Sequence, residues 1–104
     1  MSNDDAAAAS TVTPSQQRTD CQDCLFSGLL DIGITSTTNG SVDFGAINSD
    51  DDCITLAHSI EACLDEKGYF VAPLSTGFVQ LRAAGAVVPV PNVVDGLVTA
   101  SHPK

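Results

Sequence analysis

The 104-residue chain has no tryptophan, one tyrosine and four phenylalanines, so its core must come mainly from Val, Leu, Ile and Ala. Such side chains bury less area each than aromatics do, and a single small domain built from them is only marginally stable. Cations are scarce as well. Two Lys and two Arg stand against thirteen acids, for a formal charge of -9. Phosphate backbones are held by clustered Lys and Arg that release counterions, and the absence of any such cluster excludes nucleic acid as a partner. The same deficit excludes anionic membrane surfaces. No apolar run reaches the roughly eighteen residues that a bilayer span requires; the longest, Ala83 to Val94, is broken by Gly85, Pro89, Pro91 and Asn92. The opening Met1-Ser-Asn-Asp-Asp5 has neither the basic nor the apolar segment of a secretory signal. These absences lead to the expectation of cytoplasmic synthesis without a signal peptide, followed by retention in the cell or packaging into a virion.

What charge there is lies unevenly. Residues 1–67 carry twelve acids against Arg18 and Lys67, a net of -10, whereas from Gly68 to Val94 the only charge is Arg82. A stretch that apolar must be buried, either in its own fold or against another subunit. Asp far outnumbers Glu, a balance that suits a halophile, where high salt screens self-repulsion.

Residues 1–20 read as a flexible N-terminal arm with little to bury, and residues 21–104 as a single small domain. Cys21 to Leu30 fits either a helical turn or the entry to a strand. Asn39-Gly40 supplies the two positive-φ residues of a type I′ turn, which predicts a hairpin with Ile32 and Ile34 on one arm and Val42, Phe44 and Ala46 on the other. Ser49 followed by Asp50-Asp51-Asp52 predicts a helix start. That helix runs from Asp50 to Lys67, is capped by Gly68, and carries Cys53, Leu56, Ala57, Ile60, Cys63 and Leu64 on one face. Tyr69–Ala72, Phe78–Arg82, Ala86–Val90 and Val93–Ala100 read as strands, with Pro89 and Pro91 confined to an edge. The expected fold class is therefore α+β, a small β-rich domain in which a β-hairpin precedes one amphipathic helix packed on a mostly antiparallel sheet.

Four cysteines, at 21, 24, 53 and 63, are the first candidates for chemistry. Cys21 and Cys24 have the spacing of half a zinc knuckle or of a redox pair. Cys53 and Cys63 lie about 15 Å apart along a helix, too far to pair with each other. The thiols thus serve as small core residues, as disulfides between the N-terminal segment and the helix, as ligands of a single metal, or as a reactive CxxC. Acidic Asp20 and Asp23 would raise the thiol pKa and disfavour the last. The aspartate run lacks the alternating spacing of a calcium loop. His58 falls on the wet side of its helix, and Ser59 has no nucleophile elbow. Asn39-Gly40-Ser41 matches a glycosylation sequon, but the hairpin turn explains the same residues. There is no phosphate-binding glycine loop and no zinc-protease motif. No cofactor, resident metal or enzymatic activity is expected.

Two functions of different class remain. The first is a structural or assembly protein, such as a capsid-decorating or connector subunit of a virion, acting through a protein partner or self-assembly. Its interface would be the proline-interrupted segment left without an obvious intramolecular partner in so small a fold, comprising Ala86, Val87, Val88, Val90, Val93, Val94, Leu97 and Val98. The second is a small acidic inhibitor or nucleic-acid mimic that presents Asp50, Asp51, Asp52, Glu61, Asp65 and Glu66 to a basic partner. A CxxC zinc or redox module at Cys21 and Cys24 is a third, minor option.

Overall fold

Thr13 and Pro14 begin the first helix of the computed structural model, which describes residues 12–34 and 40–104. The Thr13 hydroxyl accepts the Gln16 N–H at 3.0 Å, and Pro14 occupies the first turn, where its missing N–H costs nothing. The resulting helix α1 (Pro14–Asp31) buries Cys21, Cys24, Leu25, Gly28 and Leu29 along one stripe. A short strand β1 (Ser41–Asp43) leads into a single 3-10 turn, Phe44–Ala46. Helix α2 (Asp50–Glu66) follows, with the Ser49 hydroxyl accepting the Asp52 N–H at 3.2 Å and three aspartates in its first turn. Gly68, at φ +101°, takes the left-handed conformation just past its end. Strand β2 (Tyr69–Val71), helix α3 (Ser75–Ala83), strand β3 (Val87–Pro89), helix α4 (Val90–Ala100) and strand β4 (Ser101–Pro103) complete the described chain.

The described residues thus form a mostly helical fold with four α-helices, which overturns the expected small β-rich α+β domain with one helix on a mostly antiparallel sheet. The strands are three residues each and make two separate antiparallel pairs, β1 with β3 and β2 with β4. Neither pair forms a layer on which a helix could lie. Three local readings account for the error. Val90, Val93, Val94, Leu97 and Val98 follow the i, i+3, i+4, i+7, i+8 spacing of a helix face, but their β-branched character suggested a strand. Pro91 stands in the first turn of α4, where proline is tolerated, and so starts a helix instead of blocking a ladder. Leu74, Phe78 and Leu81, likewise spaced i, i+4, i+7, form the inner face of α3 and its N-cap, where a strand was expected over Phe78–Arg82. The expected hairpin has no first arm next to β1, because Ile32 closes α1 and Val42 pairs with Val88; Asn39 of its turn lies outside the described residues. Of the arm expected over residues 1–20, residues 1–11 also lie outside them, while Pro14 to Asp20 are helix.

Helix α2 agrees with its expected start and face, but it meets helices where a sheet was expected. It packs against α1 on one side and α3 on the other, and α1 in turn packs against α4. The α1–α2 approach is close at Gly28: a Cβ placed there would sit 2.9 Å from Leu56 Cδ1 and 3.2 Å from Ile60 Cγ1. Nearby, Cys24 and Cys63 form a disulfide, with Cα atoms 5.6 Å apart, that joins the same two helices. Polar ties hold the outer elements. Gln17 on α1 donates to the carbonyls of Val98 and Ser101, both at 3.1 Å, Tyr69 donates to Asp20 at 2.6 Å, and the Glu61 carboxylate accepts the Leu74 N–H at 2.8 Å. Arg82 clamps α3 onto the chain before α2, donating to the Ile47 and Asn48 carbonyls at 2.7 and 2.9 Å and to Asp50 at 3.0 Å.

Candidate functional site

The helices are arranged as an open ring in the order α3, α2, α1, α4, and its two ends barely touch. Between them lies an apolar slot of about 270 Å³. One wall is the α3 face, Leu74, Gly77, Phe78 and Leu81, with Pro73 at its end; the other is the α4 face, Asn92, Val93, Gly96 and Leu97. Phe44 and Val88 complete the lining. Phe44 is fully buried and its ring leans on Phe78, centroids 5.4 Å apart, which fixes Phe78 in the wall.

Gly77 and Gly96 stand in the two walls of the slot. A Cβ at Gly77 or at Gly96 would meet nothing within 4 Å, in contrast to Gly28, where the absent side chain lets two helices approach. Gly96 is interior to α4, where glycine is less favourable than alanine by roughly 0.5–1 kcal/mol. A Cβ at either position would therefore meet no steric conflict, and at Gly96 it would favour the helix.

The slot itself is uncharged. No charged residue lines it, and of the exposed positions Thr76, Gln80, Asp95 and Thr99 on its two helices, only Asp95 is charged. Asp95 is paired with Arg18. Arg82 and Lys104 are likewise occupied, by Asp50 and Asp65. Asp23, Asp43, Asp51, Asp52 and Glu66 have no cationic partner among the described residues, so the exterior presents a negative field.

The slot includes only three of the eight residues expected at an interface: Val88, Val93 and Leu97. Val93, Val94 and Leu97 are also part of the chain's own core, with Ala86, Val88, Val90 and Val98 half-buried around it, which leaves Val87 as the exposed member at 59%. The α3 wall, Phe44 and the two glycines were not singled out from sequence. The helical spacing of Leu74, Phe78 and Leu81 was the signal available for the wall, whereas the gap between α3 and α4 has no local signature.

The cysteines divide between two of the readings open to them. Cys24 is committed to Cys63, while Cys21 and Cys53 are free thiols with no exposed surface. Burial raises the pKa of both thiols above the ordinary 9.0, outweighing the hydrogen bond between Cys21 and Ser101 and the Arg82 charge near Cys53. Both stay protonated at neutral pH, and a protonated, buried thiol is a poor nucleophile. Among the described residues no three His, Cys, Asp or Glu side chains gather to hold a metal. His58 is exposed on α2 as its helical position implies, and His102 is exposed on β4. Tyr69, fully buried, has its phenol pKa raised by burial and by Asp20. Among the described residues no helix is long and apolar enough to cross a membrane. No family model, curated protein or solved structure matches the chain.

Proposed function

We propose that this chain is a contact module, a structural or assembly protein that works by receiving an apolar anchor of another protein in the α3–α4 slot. The observation that carries the reading is the open end of the helix ring, lined by Leu74, Gly77, Phe78, Leu81, Val93, Gly96 and Leu97. At about 270 Å³, the slot is smaller than the roughly 300–1,000 Å³ of small-molecule sites. It suits one or two side chains of a partner, the pattern in which a few anchors seated in a pocket dominate binding. A decorating or connector subunit of a virus particle is one setting for such a module.

The acidic-inhibitor alternative has less support, because three of its six carboxylates are already engaged: Asp50 by Arg82, Asp65 by Lys104 and Glu61 by the Leu74 N–H. A CxxC zinc or redox site is not supported either, since Cys24 is bonded to Cys63 and Cys21 is buried.

Selection from a random peptide library on the intact protein, with counter-selection on Gly96→Leu, tests the proposal. The leucine fills the slot and removes a helix-interior glycine, so the variant should fold at least as stably as the parent. Peptides that survive should share two apolar anchors spaced i, i+3 or i, i+4 and should bind Gly96→Leu at least roughly tenfold more weakly. Recovered peptides that bind both proteins alike would sink the proposal.

A further inference from the structure

We infer that the occupant of the slot is an amphipathic helix of another protein whose apolar anchors are flanked by Lys and Arg; this rests on the slot being the contact site proposed above. The slot has walls from two helices, α3 and α4, with Phe44 and Val88 completing an apolar lining, and an apolar groove between helices is a surface on which an amphipathic helix lays its apolar face. Its lining is uncharged, so it selects apolar side chains without regard to sign. The sign is set by the surroundings. Arg18, Arg82 and Lys104 are each neutralised by an aspartate, while Asp23, Asp43, Asp51, Asp52 and Glu66 are left to act outward. With a formal charge of -9, the body as a whole attracts a helix whose flanks are cationic.

Charge also decides against a second copy of the chain as the occupant. Two bodies that each carry -9 repel over a screening length of about 8 Å at physiological ionic strength, and of the four cations only Lys67 has no ion pair among the described residues. A cationic helix is instead attracted before it docks, with a rate of association that falls as salt rises.

The test uses two synthetic amphipathic helices with the same leucine face, one with lysine and one with glutamate on the polar face, titrated into the full chain by fluorescence anisotropy at low and high salt. The expected result is that the Leu/Lys peptide binds roughly tenfold or more tightly than the Leu/Glu peptide, weakens steeply with salt, and is lost in Gly96→Leu and in Gly77→Leu. Two slot-filling variants, each checked for native helicity by circular dichroism, guard against one of them misfolding. Equal binding of both peptides, lost in the filled variants, would overturn the basic partner and leave the slot standing. Binding of the Leu/Lys peptide that persists in both filled variants would mean adhesion to the acidic surface, and the slot itself would fall. Light scattering that shows the chain assembling on its own, through a contact abolished by Gly96→Leu, would put a second copy in place of the basic helix.

Discussion

Replacing both Cys24 and Cys63 by alanine should lower the folding stability by about 4 kcal/mol, the chain-entropy value for a bridge that closes a loop of 39 residues. A small domain has only about 5–15 kcal/mol in total, and this one has few aromatic side chains with which to reach the upper end. The bridge joins α1 to α2, and α1 also carries α4 through Gln17 and its contacts with Val98 and Ser101. Loosening α1 therefore releases half of the ring. Chemical denaturation of the double variant should show a midpoint moved far toward native conditions, or no folded baseline. Thiol counting in denaturant gives an independent check, with two reactive thiols, Cys21 and Cys53, before reduction and four after it. An unchanged midpoint, or four thiols in the unreduced protein, would refute the role given to the bridge. Bridges of this kind persist in oxidising surroundings.

Gly28→Ala should cost about 1–3 kcal/mol, the range for overpacking a well-fitted core. The new methyl would stand 2.9 Å from Leu56 Cδ1 and 3.2 Å from Ile60 Cγ1, and both of those residues are fully buried, so neither can turn away into solvent. In an exposed helix the same substitution would be favourable by roughly 0.5–1 kcal/mol. Gly96→Ala supplies that contrast in the same molecule: its Cβ meets open space, and the variant should be more stable than the parent. Measured together by urea denaturation, the two glycine variants should move the midpoint in opposite directions. A shift of the same sign for both would mean that α1 and α2 do not approach each other as described.

Much of this fold was legible one element at a time. Ser49, the three aspartates after it and Gly68 mark both ends of α2 because capping is local chemistry, and the apolar spacing from Cys53 to Leu64 identifies its buried face. Thr13-Pro14 is an equally local signal for the start of α1, but the polar run from Ser15 to Asp20 hid it. For α3 and α4 the helical period was present. It competed with the strand preference of valine and with two prolines, and in α4 the packing of Val93, Val94 and Leu97 against the core decided the outcome. Other features depend on segments far apart in the chain. Val42 finds Val88, and Cys24 finds Cys63, only after the helices have docked, so no local pattern could assign those partners. The stretch from Gly68 to Val94, which carries a single charge, divides between two places in the fold. Part of it is core and part lines a slot, and Arg82, its one charge, holds α3 against the residues that precede α2.

The slot is also the least legible feature, because it is a contact that two helices fail to make. The recognition role proposed for it is tested most directly by amide chemical-shift mapping of the full chain titrated with the Leu/Lys peptide. The account predicts saturable shifts concentrated at Gly77, Phe78 and Leu81 on α3 and at Val93, Gly96 and Leu97 on α4, with Asp50, Asp51, Asp52 and Glu66 moving little. Shifts confined to those acids, with α3 and α4 unmoved, would contradict it.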